Sequence, residues 1–276
     1  MQITCAARTD VGVIRSGNED NFLVLPDDGV FIVADGMGGH AAGEVASEMA
    51  VTLIAQTLGN TRGLSDEQLA QRMRDAISRA NSAIFERTLA EPEKRGMGTT
   101  VTAMVMRGNR FLIGQVGDSR AYILRDSRLV QVTKDHSYVQ EQVDAGHLTP
   151  EQARSHPYSN VITRCVGANA EVVPDLYIGA ARTADVFLLA SDGLTGMLED
   201  HELMEVLSAE HQPPRQVEGL IEAANRRGGL DNITAIVVRV DEVDAPEGAG
   251  DVTTEHPAIE REKGRRTSGE TTAGRT

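Results

Sequence analysis

Short runs of apolar and β-branched residues, separated by two-residue turn sequences, constrain the fold of this chain most strongly. Four such runs follow one another in the middle of the chain: Thr99–Met106, Arg110–Val116, Arg120–Leu124 and Leu129–Thr133. Three turn-forming pairs separate them: Gly108-Asn109, Gly117-Asp118 and Asp126-Ser127. This spacing predicts a meander of antiparallel strands.

The remaining elements are predicted in blocks on either side of this meander. Further strand-like runs are Thr4–Arg15, Asn21–Leu25, Val30–Ala34, Val172–Ile178, Val186–Ala190 and Asn232–Val240. Helices are predicted at 41–58, from Ser65 (where Ser65 and Gln68 form a capping box), at Asp200–Ser208 and at Pro214–Arg226. Residues 134–165 are predicted to be an irregular excursion with one short helix. Because strands and helices do not alternate, the sequence favours an α+β fold with two antiparallel sheets and helices outside them.

Composition limits the domain organisation and the classes of partner. We expect one domain at 1–240 and a disordered tail at 241–276, since the tail has almost no large apolar residues. The formal net charge of −14 argues against a nucleic-acid partner. The two cysteines, Cys5 and Cys165, do not form a disulfide framework, and no apolar run reaches membrane-spanning length. Without a signal-peptide pattern, the expected location is cytoplasmic.

Acidic residues beside glycine lie at the ends of several apolar strand-like runs. Asp35-Gly36 and Asp192-Gly193 each follow such a run, Asp118 follows another, and Asp231 precedes the final one. Each pair alone is more simply read as a turn. Together they are typical of carboxylates that project from strand ends into one cleft, with glycine allowing close approach.

Several carboxylates can converge in a cleft only if cations neutralise their mutual repulsion. Oxygen-only ligation selects hard ions such as Mg²⁺ or Mn²⁺, and no Cys or His has zinc-site spacing. Two such ions, roughly 3.5–4 Å apart, can share a bridging carboxylate and generate a hydroxide nucleophile for phosphoryl transfer. Arg15, four residues before Glu19, is suited to bind a phosphate because its planar fork donates two hydrogen bonds.

Six motifs in a fixed order resemble those of the type 2C (PPM) metal-dependent protein phosphatases in their compact bacterial form. They are Arg15-x-x-Asn-Glu-Asp20, Val33-Ala-Asp-Gly-Met-Gly-Gly-His40, Gly98-Thr-Thr100, Val116-Gly-Asp-Ser-Arg-Ala-Tyr122, Leu189-Ala-Ser-Asp-Gly-Leu194 and Asp231-Asn-Ile-Thr234. The resemblance covers about residues 5–240. It implies an αββα sandwich, hydrolysis of phosphoserine and phosphothreonine by a metal-bridging hydroxide, and a partner Ser/Thr kinase with its substrates. A monomer is expected.

The resemblance also implies roles for individual residues. Asp35 would bridge two tightly bound Mn²⁺ or Mg²⁺ ions, and Asp118 with Asp192 would hold a weaker third ion. The other ligands would be the Gly36 carbonyl, Asp192, Asp231 and, directly or through water, Glu19 and Asp20. Arg15 would bind the substrate phosphate, and His40 stands in the place of the general acid. The excursion 134–165 corresponds to the flap that shapes substrate access.

Two alternatives remain at the level of sequence. Gly117-Asp118-Ser119 resembles the start of a serine esterase block, with Ser119 as nucleophile and His147 as base, although this leaves Asp35, Asp192 and Asp231 without a role. The second alternative is a binding module that keeps the phosphatase fold without catalysis. Resistance to chelators would favour the first, and phosphopeptide binding without turnover would favour the second.

Overall fold

The computed structural model describes residues 1–38, 42–61, 63–209 and 212–243, together with the backbone of residues 260 and 261. The described strands are β1 (Gln2–Asp10), β2 (Asp20–Leu25), β3 (Val30–Met37), β4 (Gly98–Thr99), β5 (Val101–Arg107), β6 (Arg110–Val116), β7 (Arg120–Arg125), β8 (Arg128–Gln131), β9 (Asp175–Ala180), β10 (Val186–Ala190), β11 (Ile233–Glu242) and β12 (Glu260–Arg261). The described helices are α1 (Ala42–Leu58), α2 (Asp66–Ala90), α3 (Tyr138–Asp144), α4 (Pro150–Arg154), α5 (Asp192–Thr195), α6 (Asp200–Ser208) and α7 (Pro213–Arg226).

The strands form two antiparallel sheets. The smaller sheet has the order β1-β11-β10-β7-β8, and the larger has the order β12-β9-β6-β5-β3-β2, with β4 paired to the end of β3. Among the described residues, no helix is both long enough and apolar enough to cross a bilayer.

Three apolar layers hold these elements together. Between the sheets, Phe31 and Ile113 of the larger sheet share one buried cluster with Phe187 and Val238 of the smaller sheet. A second cluster joins α1 and α2 to the outer face of the larger sheet, and a third joins α6 and α7 to the outer face of the smaller sheet. The predicted αββα sandwich is therefore confirmed.

The meander prediction is wrong in one respect, because the four central strands divide between the two sheets. β5 and β6 pair in the larger sheet, whereas β7 and β8 pair in the smaller one. The chain passes between the sheets at Gly117, whose φ of 103° is a left-handed value that ends β6. This crossing places Asp118 between the two sheets.

Several boundaries differ from the sequence prediction. β1 ends at Asp10 instead of Arg15, because Gly12 has a φ of 81° and its N–H donates to Asp10 Oδ1 at 3.0 Å. The excursion 134–165 carries two short helices, α3 and α4, where one was predicted. The four-residue helix α5 was not predicted. The capping box of Ser65 and Gln68 is present as predicted.

The predicted domain boundary at residue 240 falls inside β11, which continues to Glu242. The backbone of Glu260–Arg261 pairs with Ile178 and Tyr177 of β9. The rest of the predicted tail, residues 244–259 and 262–276, lies outside the described residues.

Candidate metal centre

The end of β3 carries Asp35, and its backbone is fixed on both sides. Asp35 is paired with Asp20 across β2 and β3. On the other side, the Asp35 N–H donates to Thr100 Oγ1 at 2.9 Å and the Thr100 N–H donates to the Asp35 carbonyl at 2.8 Å. The backbone that presents the Asp35 carboxylate is therefore set by Asp20 of β2 and by Thr100, which lies between β4 and β5.

The other predicted acids reach the same region from the smaller sheet. Asp192 is the first residue of α5, directly after β10, and Asp231 lies just before β11. Asp118 occupies the crossing between the sheets and is buried. Strand pairing of β10 with both β11 and β7 brings these three sequence positions together at one end of the sheet.

Burial and mutual repulsion raise the pKa values of these carboxyl groups. Burial is the largest cause of the upward shift of the Asp35 pKa, followed by the charges of Asp20, Asp192 and Asp118. Burial, and then the charges of Asp192 and Asp135, raise the pKa of Asp118 to about 8. Carboxyl groups that are distant in sequence therefore lie close enough to one another for their charges to interact.

Asp20 is held differently from the others. Its Oδ2 accepts hydrogen bonds from Thr234 Oγ1 at 2.6 Å and from Ser191 Oγ at 2.7 Å. Burial raises its pKa to about 7 despite these two hydrogen bonds, with smaller contributions from Asp192 and Asp231. The hydroxyls of Ser191 and Thr234 thus orient this carboxylate, and neither residue was singled out from the sequence as a contact of Asp20.

The Asp35 and Asp192 carboxyl groups lie close enough to interact, and this interaction raises the pKa of Asp35 and opposes the rise of the Asp192 pKa. Burial also raises the pKa of Asp192, and its Oδ1 is buried without a hydrogen-bond partner. A buried acceptor without a donor, beside a second carboxylate, is the environment that a bound cation would satisfy.

Glycine at positions 36 and 43 permits the close approach of Glu19 to the cleft. The Gly36 N–H donates to the Glu19 carbonyl at 3.1 Å, and a Cβ on Gly36 would lie 2.1 Å from the Gly43 carbonyl oxygen. A Cβ on Gly43 would lie 2.8 Å from Glu19 Oε1. Ser47 Oγ also donates to the Glu19 carbonyl at 2.7 Å, so the first turns of α1 fix this residue.

Arg15 contacts the acidic cluster through a long-range ion pair. Its Nη2 donates to Asp231 Oδ2 at 2.7 Å, and the Arg15 side chain remains 51% exposed. The sequence predicted Arg15 to lie near the cleft only because it stands four residues before Glu19. The pairing with Asp231 joins residues that are 216 positions apart.

The predictions for two histidines have different outcomes. His40, the predicted general acid, lies outside the described residues. The serine-hydrolase alternative, with His147 as base, is not supported, because Ser119 is fully buried and its Oγ lies 2.7 Å from Thr100 Oγ1. His147 is exposed and contacts Gln142 instead.

The donor set fits hard divalent cations. Within the described ranges, no three Asp, Glu, His or Cys side chains form a ready-made metal cage. Mg²⁺ and Mn²⁺ need fewer side chains than that, because Mg²⁺ keeps several waters and both ions accept carbonyl oxygens as ligands. Asp35, Asp192 and the Gly36 carbonyl offer only oxygen donors, and the partnerless Asp192 Oδ1 is among them.

The comparisons with known proteins agree with this chemistry. Residues 15–224 match the family model described as Protein phosphatase 2C. The chain is 43% identical over 242 residues to the serine/threonine protein phosphatase PstP of Mycobacterium tuberculosis. The matched region covers 87% of this chain but only 45% of that protein. It is 40% identical over 238 residues to the serine/threonine phosphatase stp of Listeria monocytogenes, covering 85% of this chain and 94% of that protein. The solved catalytic domain of PstP in complex with two manganese ions superposes with a TM-score of 0.79 at 40% identity, covering 88% of this chain and 99% of that one.

Proposed function

This chain belongs to the protein phosphatase 2C family, and on that premise we propose that it is a metal-dependent protein phosphatase that hydrolyses phosphoserine and phosphothreonine. The relatives' names and the two manganese ions of the PstP catalytic domain support this activity. The chain spans less than half the length of the mycobacterial relative, so the activity proposed is that of the domain formed by residues 1–243.

The observation that carries the proposal is the close approach of the Asp35 and Asp192 carboxyl groups, with Asp192 Oδ1 buried and without a hydrogen-bond partner. Burial, and then the charges of neighbouring carboxylates, raise the pKa values of Asp35 and Asp192, and two cations at this point would offset both effects. Asp35 and the Gly36 carbonyl would hold one ion, and Asp35 with Asp192 and Asp231 would hold the other. Glu19 and Asp20 would ligate directly or through water, and Asp118 with Asp192 would hold a weaker third ion.

When bound, the two ions would supply an activated water for attack on phosphorus and would neutralise charge on the transferring phosphoryl group. The chain's own residues supply orientation. Ser191 and Thr234 fix the Asp20 carboxylate, and Thr100 fixes the backbone of Asp35. These fixed oxygens would hold the centre without rearrangement during turnover.

Arg15 would bind the phosphate of the substrate. Asp231 accepts a hydrogen bond from Nη2 of Arg15. The other N–H groups of this half-exposed guanidinium can therefore donate to solvent or to a ligand. The same ion pair fixes Arg15 beside the acidic cluster, which is where a phosphate must lie to be attacked. His40 is proposed as the acid that protonates the leaving oxygen.

The biological setting follows from the same family relationship. We propose that the substrates are phosphorylated proteins, including a Ser/Thr kinase and its targets, and that the enzyme acts as a monomer in the cytoplasm. The segment 134–165, which carries α3 and α4, would shape access to the centre.

The test is hydrolysis of an aryl phosphate and of a phosphothreonine peptide in Mn²⁺, with and without a chelator. Both substrates should be hydrolysed in Mn²⁺, and the chelator should abolish turnover reversibly. Asp192→Asn should be inactive, whereas the matched change Asp126→Asn, at an exposed turn position, should retain full activity. Phosphopeptide binding without turnover would identify a non-catalytic module, and activity in the presence of chelator would reject the metal centre.

A further inference from the structure

Exposed apolar side chains are concentrated in two loops beside Arg15 and Asp231. Ten large apolar side chains of the described residues are exposed, and four of them lie in these loops: Val11, Val13, Ile14 and Leu230. Val13, Ile14 and Leu230 are 63%, 65% and 56% exposed. We call these four residues the apolar rim. Single exposed apolar residues are ordinary, but a cluster of them next to a proposed active site indicates a binding surface.

The backbone beneath the apolar rim is tied down, so the exposure of these side chains does not result from a loose loop. The N–H groups of Val13 and Ile14 donate to the Gly229 carbonyl at 2.8 Å and 3.3 Å. Asn232 Nδ2 donates to the Val11 carbonyl at 2.9 Å. A rigid surface of this kind binds a ligand without a large loss of conformational entropy.

Close backbone contact joins the two loops into one surface. A Cβ on Gly12 would lie 2.2 Å from the Asp231 carbonyl oxygen, and a Cβ on Gly229 would lie 2.9 Å from Val13 Cγ2. Both glycines have positive φ values, 81° and 49°, that other residues rarely adopt. Glycine at these positions thus allows Val13 and Leu230 to stand on adjacent segments, next to the Arg15–Asp231 ion pair.

We propose that the apolar rim binds an apolar side chain next to the phosphorylated residue of a peptide substrate, so that the enzyme prefers phosphosites with large apolar neighbours. The inference rests on the proposed function of Arg15 as the phosphate ligand. Ile14 directly precedes Arg15, and adjacent residues of an extended peptide are about 3.3–3.6 Å apart along the chain. A peptide whose phosphate binds Arg15 would therefore have its neighbouring residues within reach of the apolar rim.

The test uses peptides that carry a hydrolysis-resistant phosphonate analogue of phosphoserine, so that binding is measured independently of turnover. Two fluorescent peptides differ only in their flanking residues, which are leucine in one and serine in the other. Anisotropy with the wild-type protein in Mn²⁺ should give a Kd about fivefold lower for the leucine peptide, as expected from partial burial of one apolar side chain. Equal Kd values would overturn the proposal.

Variants locate the preference on the apolar rim. Val13→Ser with Ile14→Ser should reduce the Kd ratio to under about twofold, and Leu230→Ser on the other loop should reduce it independently. The matched control, Leu89→Ser with Val130→Ser, removes two exposed apolar side chains elsewhere and should keep the wild-type ratio. A ratio that persists in both rim variants would overturn the proposal.

Two further measurements distinguish peptide binding at the apolar rim from loss of the proposed activity and from self-association. Hydrolysis of a capped phosphothreonine, which has no flanking residues, tests the proposed function alone. If this compound is not hydrolysed, the proposed function is rejected, whereas the Kd ratio of the two peptides still tests the binding role of the apolar rim. Sedimentation velocity tests whether the apolar rim instead joins two copies of this chain. A wild-type dimer that the Val13→Ser, Ile14→Ser variant dissociates, with the Kd ratio unchanged, would overturn the proposal.

Discussion

The backbone N–H of Glu19 donates a hydrogen bond of 2.8 Å to Oδ1 of Asn232, which lies 213 residues further along the chain. The amide group of Asn232 also donates to the carbonyls of Val11 and Gly17, at 2.9 Å and 2.8 Å. One buried side chain therefore joins the loop that carries Arg15 and Glu19 to the segment that carries Asp231. The relative positions of three proposed site residues depend on it.

Replacing Asn232 with alanine should destabilise the protein and weaken metal binding together. Three hydrogen bonds are lost and three backbone groups are left to find other partners, so the free energy of unfolding should fall by about 2–4 kcal/mol. Urea unfolding in chelator measures the first effect, and Mn²⁺ titration calorimetry measures the second. A stable variant with unchanged metal affinity would show that the loop is positioned without Asn232.

Asp35→Asn should abolish turnover while stabilising the metal-free protein. The amide keeps the shape of the side chain and is neutral without taking up a proton, whereas burial and then the charges of Asp20, Asp192 and Asp118 disfavour the ionised Asp35 carboxylate. We expect the free energy of unfolding in chelator to rise by about 1 kcal/mol, and activity in Mn²⁺ to fall by at least about a thousandfold. Thermal unfolding and aryl phosphate hydrolysis measure the two effects, and Asp126→Asn is the exposed control. Retained activity, or a destabilised metal-free protein, would contradict the role of Asp35.

Asp118→Asn should affect the weaker third ion and spare the two tight ones. The charge of Asp118 interacts with those of Asp192 and Asp35, but Asp118 lies at the crossing between the sheets and not at the end of β3. Calorimetric titration with Mn²⁺ should still detect two tight ions per chain, and turnover should need a higher Mn²⁺ concentration than in the wild type. Loss of both tight ions would mean that Asp118 belongs to the central pair.

The sequence predicted the layers of the fold because each layer has a local signature. Strand runs such as Val186–Ala190 and the capping box at Ser65 are set by residues adjacent in the chain. The division of the central strands between two sheets has no such signature. It depends on Gly117 adopting a positive φ, and an isolated Gly-Asp pair predicts a hairpin turn equally well.

The candidate site shows the same division between local and long-range information. The acids could be named because each stands at the end of an apolar run. Their supports could not, since Ser191 and Thr234 contact Asp20 across 171 and 214 residues. Serine and threonine near a strand end are also common without any functional contact. The pairing of Arg15 with Asp231 was missed for the same reason.

Asp175 should make the stability of the protein depend on pH in the acidic range. A hydrogen bond from His136, and then Arg164, lower the pKa of Asp175 to about 2, against the opposing effect of burial. A carboxyl group with a lowered folded-state pKa stabilises the protein fully above its unfolded value, near 4, and this contribution is lost as the pH falls towards 2. Asp175→Asn should therefore lower the free energy of unfolding by about 1–2 kcal/mol at pH 7, and the difference from wild type should shrink below pH 4.

Urea unfolding at about pH 7, 5 and 3 measures this dependence, because these values span the pKa of an aspartate in the unfolded chain. Asp126→Asn, an exposed carboxyl group, is the matched control and should show no such change. A deficit for Asp175→Asn that stays constant down to pH 3 would mean that the contact with His136 and Arg164 acts through packing and not through charge.

Arg15→Ala should raise KM for phosphopeptides by about tenfold or more and lower kcat less, because the guanidinium is proposed to bind the phosphate in the ground state as well as in the transition state. Arg15→Lys keeps the charge but loses the planar fork, so its KM should lie between those of wild type and Arg15→Ala. Either substitution also has a second effect. It removes the guanidinium that donates to the Asp231 carboxylate at 2.7 Å. The Mn²⁺ affinity measured by calorimetry separates the two effects. If Arg15 only binds the substrate phosphate, its replacement leaves the Mn²⁺ affinity unchanged, whereas if Arg15 only positions Asp231, its replacement alters the Mn²⁺ affinity. An unchanged KM together with altered Mn²⁺ affinity would assign Arg15 to the metal centre and not to the substrate.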